Sequence, residues 1–167
     1  MKKFELFLIV LLSMTLITCG GAPKKVDTPV VSSGSGMWVK QSNKQLAKIP
    51  VEGFGYKKSE VPAQKWDRWA KLSAPVVKKI LDNLPAGYVL QVTGHTDARG
   101  PEEPEGAKPG NIKLSNDRAQ EVHAALRRQG ISSKKMTYKG VGSSESREGI
   151  SARSAKQRRV TFVVVPE

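Results

Sequence analysis

Apolar side chains recur along this chain with a period that changes from stretch to stretch, and each period predicts an element. Leu6 to Leu12 form a short continuous apolar run behind Lys2 and Lys3. From Gly20 to about Gln45 the pattern vanishes into Gly, Ser, Thr, Pro and Lys, with GGAPKK and SSGSG as its clearest pieces, which predicts a flexible tether. Trp38 interrupts it and packs either on a folded domain or at a membrane interface. Ile49, Val51, Phe54 and Tyr56 then alternate loosely, predicting a first strand within Leu46 to Tyr56 that Pro50, Gly53 and Gly55 make irregular. Val61 to Leu84 carries Trp66, Trp69, Ala70, Leu72, Val76, Val77, Ile80, Leu81 and Leu84 at helical spacing, and Pro75 breaks that helix or starts a second one. At this spacing the tryptophans read as core rather than as a sugar-stacking platform.

Pro85, Ala86 and Gly87 turn the chain into Tyr88 to Thr93, a β-branched and aromatic run that predicts a strand, closed by a loop from Gly94 through His95, Thr96 and Asp97 to Gly100. The segment Pro101 to Gly110, PEEPEGAKPG, is too rich in Pro and Gly for regular structure and reads as a loop beside that strand end. Asn111 to Gly130 then reads as a helix with Leu114, Ala119, Val122, Ala125 and Leu126 on its apolar side, stopped by Gly130. Met136 to Val141 predicts a third strand, Ala152 to Lys156 a helical turn, and Arg159 to Val165 a final valine-rich strand. The alternation predicts an α+β (α/β sandwich) domain: about four strands in one mixed sheet, with two principal helices covering one face.

One residue breaks the pattern. Arg118 lies four residues from both Leu114 and Val122, on the face that should pack against the sheet, where a guanidinium is costly unless paired or reached by water. Asp97, at the end of the adjoining strand, is the nearest partner suggested by the order of elements. Asp97 and Arg118 are therefore expected to be the two poles of a ligand site.

Composition changes the picture at the N-terminus and at the surface. Residues 1–18 read as a targeting segment that ends at the only cysteine, Cys19, and its apolar run is too short to span a membrane comfortably. It resembles a bacterial lipoprotein signal, which implies lipidation of Cys19, although Thr18 stands where Gly or Ala is usual. The expected organisation is a signal peptide at 1–18, a lipidated tether at 19–45 and a folded domain at 46–167. One cysteine allows neither an intramolecular disulfide nor a thiolate metal cluster. The chain carries a net charge of +13, and +12 remains once Lys2, Lys3 and Glu5 leave with the signal. That excess attracts polyanions.

GHTD at 94–97, Gly100, Asn111, Leu114-Ser115, Arg118-Ala119, Gly130-Ile131, Gly140 with Gly142, and Arg158-Arg159-Val160 together resemble the OmpA-like peptidoglycan-binding domain over roughly Leu46 to Val165. The resemblance implies a non-catalytic module that grips the diamino acid of the peptidoglycan stem peptide, usually meso-diaminopimelate. It implies Asp97 and Arg118 as the main contacts, with Asn111, Arg158, Thr96 and Leu114 in the same pocket. It also implies a lipoprotein of the outer membrane facing the periplasm, linking membrane to wall, with room for envelope-protein partners. Gln157, where the family commonly has asparagine, and a 101–110 loop about six residues longer than the compact form are departures. The chemistry suits the assignment: a diaminopimelate side chain ends in an ammonium and a carboxylate on one carbon. Asp97 can accept from the first, and the Arg118 fork can donate twice to the second. Asn111 can serve the peptide's amides by donating and accepting.

Other classes fit less well. A zinc hydrolase needs about three protein ligands, and only His95 and His123 are on offer. Ser115 opens a helix without a nucleophile-elbow sequence. No metal, cofactor or nucleic-acid partner is therefore expected, and no aromatic-interleaved RNA-binding signature is present. The alternative is a lipoprotein of the same fold that binds polyanions or proteins, using Arg127, Arg128, Lys134, Lys135, Lys139, Arg153, Lys156, Arg158 and Arg159 as a basic surface.

Overall fold

A computed structural model describes residues 33–167; the expected signal segment, Cys19 and the first part of the tether lie outside the described residues. The elements run α1 (Ser33–Leu46), β1 (Val51–Glu52), α2 (Ala63–Asp82), β2 (Tyr88–His95), α3 (Asn111–Arg128), β3 (Met136–Gly140), a 3₁₀ turn (Ala155–Gln157) and β4 (Arg159–Pro166). The strands form one mixed sheet in the order β1-β4-β2-β3. β2 runs parallel to β3 and antiparallel to β4, and β1 pairs antiparallel with β4. This is the α+β class that the alternation of periods predicts.

Register fixes which face of the sheet is core. Leu90, Val92 and Gly94 stand opposite Val164, Phe162 and Val160, so these residues share one face, and the five with side chains are buried with Val77, Ile80 and Leu81 of α2 and Val122 and Leu126 of α3. The intervening Gln91, Thr161, Val163 and Val165 are only half-buried. Trp69 stacks on Trp66 at 5.2 Å and on Phe162 at 5.4 Å, and its indole donates to the Ile49 carbonyl. The tryptophans are thus core, as their spacing predicts.

α3 lies close on the sheet because of a glycine pair. Gly94 and Gly140 face each other across β2 and β3, and a Cβ on either would overlap α3 backbone, at the Ser115 carbonyl and the Asn116 amide respectively. Ser115 occupies the gap, donating to the Ile112 carbonyl and accepting from the Gly142 amide. The first turn of α3 is thereby held beside the C-terminal end of β2.

Four expectations need correction. Residues 33–45 are helical rather than tether: Leu46 is fully buried, Trp38 and Val39 pack against the core, and Asn43 completes the sheet. Its amide donates to the Val164 carbonyl at 3.0 Å and accepts from the Val164 amide at 2.7 Å. β1 covers only Val160 and Arg159, so Asn43 stands in for a missing strand on the bare edge of β4. The first strand shrinks to two residues. α2 is continuous through Pro75, because the core contacts of Trp66, Ala74, Val77, Ile80 and Leu81 offset a backbone cost of ~3 kcal/mol; Leu72 faces water. β2 extends two residues past Thr93, because Gly94 and His95 pair with Val160 and Arg159 of β4.

Candidate functional site

The end of β2, the start of α3, the 55–58 turn, the 101–110 loop and the residue before β4 enclose a cavity of about 500 Å³. All six residues expected from the sequence, Thr96, Asp97, Asn111, Leu114, Arg118 and Arg158, line it.

Their pairing differs from the expectation. Asp97 makes its ion pair with Arg158, whose Nη1 lies 2.7 Å from Oδ2, and Arg158 Nε donates to the Phe54 carbonyl. Arg118 instead clamps three main-chain carbonyls: Nε reaches Lys58 at 2.9 Å, Nη1 reaches His95 at 3.0 Å and Nη2 reaches Gly55 at 3.1 Å. It is fully buried, with Phe54 beneath the guanidinium. Burial, with Arg158 nearby, lowers its pKa to about 10, and the Asp97 charge opposes that shift. Carbonyls of the 55–58 turn come within its reach, and sequence order alone could not show that. Arg118 keeps its charge at neutral pH and has two N–H groups left over.

Three further groups are available. Asp97 Oδ1 has no hydrogen-bond partner among the described residues. Thr96 is buried, and its Oγ1 is likewise unpartnered. Asn111 Nδ2 donates to Glu102 at 3.0 Å, which leaves Oδ1 as the acceptor free for another molecule. Glu102 also accepts from the Ser143 amide and hydroxyl. Burial would raise its carboxyl, but the hydrogen bonds from Ser143 and Asn111 outweigh that and hold it below the usual value of 4.5. The cavity can therefore offer acceptors and guanidinium donors side by side.

A family model described as OmpA family matches residues 72–160. The chain belongs to the OmpA family. Solved structures with the same fold include the peptidoglycan-associated lipoprotein of Burkholderia pseudomallei, at 24% identity and TM-score 0.55, covering 77% of this chain and 99% of that one. The OmpA-like domain of FopA1 from Francisella tularensis follows at 22% and 0.51, covering 69% and 70%. The C-terminal domain of Helicobacter pylori MotB stands at 18% and 0.52, covering 71% and 84%. At these identities the likeness speaks to the fold. No curated protein matches the chain.

Elsewhere this OmpA-family chain uses its polar residues to hold loops. Gln157 is fully buried outside the cavity, accepting from the Arg147 amide and donating to the Ile150 carbonyl, so it ties the 147–151 loop. Arg159 turns away from Arg158 and donates to the carbonyls of Gln157 and Glu145. Two members of the expected basic surface are thus directed inward, and Arg128 pairs with Glu121. His95 is buried against Thr161, and burial together with Arg159, Arg147 and Lys139 lowers its pKa to about 3, so it is neutral. His123 packs against Tyr138. No group of three or more metal-ligating side chains occurs among the described residues.

Sequence reasoning missed Tyr56, Lys57, Arg99 and Lys108, which also line the cavity. Tyr56 read as a strand residue and Lys108 as part of the 101–110 loop without a role of its own. Only the fold shows that the turn and the loop line one cavity with Asp97.

Proposed function

We infer that this chain is a non-catalytic peptidoglycan-binding protein whose cavity grips the zwitterionic diamino acid of a stem peptide. The observation that carries the reading is one cavity holding a carboxylate with a free oxygen, Asp97 Oδ1, beside two guanidiniums that each retain unused N–H groups. The ligand ammonium donates to Asp97 and Asn111, while its carboxylate accepts from Arg118 and Arg158 in charge-assisted bonds. Thr96 Oγ1 completes its bonding on the peptide, and Leu114 packs against the ligand's methylenes. Ornithine or lysine in place of diaminopimelate keeps the ammonium but loses the carboxylate. The family resemblance of the lipoprotein signal supports anchoring through Cys19 in the outer membrane, with the domain facing the periplasm. Cys19→Ser should release the protein from membranes, and retention there contradicts the anchor.

Thr96→Val tests the pocket without disturbing the fold, because it removes a hydroxyl that is already unpaired. Thermal stability should hold or rise, while affinity for diaminopimelate muropeptides in a calorimetric titration should fall roughly threefold to tenfold, the worth of one neutral hydrogen bond to the peptide. Unchanged affinity in this variant and in Asp97→Asn would reject the pocket and leave diffuse attraction to polyanions.

A further inference from the structure

The cavity holds more positive charge than a diamino acid can use. Lys57, Arg99, Lys108, Arg118 and Arg158 face a single carboxylate, Asp97. At the inner end Asp97 and Arg158 offset each other, and a zwitterionic diamino acid brings no net charge to the rest. The remaining positive charge sits on Lys57 and Arg99, which have no carboxylate partner among the described residues, and on Lys108, whose partner is Glu105.

All three are exposed at the surface, and two of them share a contact. The Lys57 ammonium and the Arg99 guanidinium converge on one ring, that of Tyr56, at 5.5 and 5.8 Å. Neither pairs with a carboxylate among the described residues. Lys57 is the one non-glycine residue with positive φ among them, at 55°, in the turn whose Gly55 and Lys58 carbonyls Arg118 clamps. The buried arginine thus fixes the turn that presents Lys57. Lys108 approaches from the 101–110 loop, which Glu102 pins to Asn111 and Ser143; its contact with Glu105 is long, at 3.4 Å, and both side chains are more than half exposed. Like charges lining one cavity repel each other in the empty protein, and an anion placed among them relieves that.

We propose that Lys57, Arg99 and Lys108 form an anion subsite at the cavity mouth that takes a second carboxylate, carried by a residue flanking the diamino acid. The protein would then distinguish stem peptides whose flanking carboxyl groups are free from those in which they are carboxamides. This rests on the stem-peptide reading above. A carboxamide has the same shape and fills the same space but brings no charge, so the difference in binding isolates the subsite.

The test uses two synthetic diaminopimelate tripeptides, identical except that the flanking side-chain carboxyl is free in one and amidated in the other. Each is titrated calorimetrically at low salt into wild type, into the triple variant Lys57→Gln/Arg99→Gln/Lys108→Gln, and into Lys44→Gln/Lys71→Gln/Lys134→Gln, which removes the same net charge from exposed sites elsewhere. Wild type should prefer the free acid about tenfold, as several partly exposed ion pairs allow. The preference should vanish in the mouth variant and persist in the control. Equal binding of the two peptides by wild type overturns the subsite and leaves the diamino-acid grip standing. Loss of preference in the control equally with the mouth variant assigns it to net charge and overturns the subsite. Binding of neither peptide overturns both readings.

Discussion

Replacing Arg118 by lysine keeps the charge, and it should nonetheless cost the protein much of its stability. The guanidinium donates along three directions at once, to the carbonyls of Lys58, His95 and Gly55 at 2.9 to 3.1 Å, from a position with no solvent exposure. A lysine ammonium has three donors, but they radiate from one atom, and it can keep at most one of these carbonyls at good geometry. Two bonds from a charged donor are lost, each worth about 1.5–3 kcal/mol. Part of that returns, because the 55–58 turn can open and let water reach Gly55 and Lys58. The net loss should be about 3 kcal/mol, a large share of the ~5–15 kcal/mol that holds a domain folded. For a domain of this size it corresponds to a fall in Tm on the order of 10 °C. Urea denaturation followed by tryptophan fluorescence measures it, since Trp66 and Trp69 are in the core. A loss below about 1 kcal/mol would refute the clamp and return Arg118 to a role confined to ligand binding.

Gly94→Ala should abolish folding or cost more than ~3 kcal/mol, because its Cβ would overlap the Ser115 carbonyl and neither backbone can yield without separating α3 from the sheet; circular dichroism decides it. Asn43→Ala should cost about 2 kcal/mol by denaturant titration, since it removes both bonds to Val164 and bares the β4 edge; a change under ~0.5 kcal/mol would show that α1 does not seal the sheet. Stability should fall between pH 7 and pH 5. His95 is neutral when folded, with its pKa lowered to about 3, but protonates near 6.5 when unfolded, so the unfolded state gains protons first. That contributes about 2 kcal/mol over this interval, and His95→Gln should remove most of the slope.

The sequence made the sheet and its two covering helices legible because their burial is periodic: Leu90 and Val92, Phe162 and Val164, Val122 and Leu126 announce their faces. It also exposed Arg118, since a charge on an apolar stripe demands an explanation. What Arg118 bonds was hidden, because main-chain carbonyls of a distant turn carry no side-chain signature. α1 was hidden for a related reason. Its opening SGSG has poor helix propensity, and its place depends on Asn43 meeting Val164, a contact 121 residues apart in the chain. The cavity residues just after β2 and on α3 could be found from motif order, whereas Lys57 and Lys108 reach the cavity only through where the fold puts a turn and a loop.

Whether the cavity grips a diamino acid is decided by titrating a diaminopimelate tripeptide into isotopically labelled protein and following the backbone amide resonances. Saturable shifts should centre on Thr96, Asp97, Asn111 and the 55–58 turn, with smaller ones for the lysine analogue. Shifts confined to the exposed basic residues Lys134, Lys135 and Arg153, with the 94–97 segment unmoved, would contradict that grip.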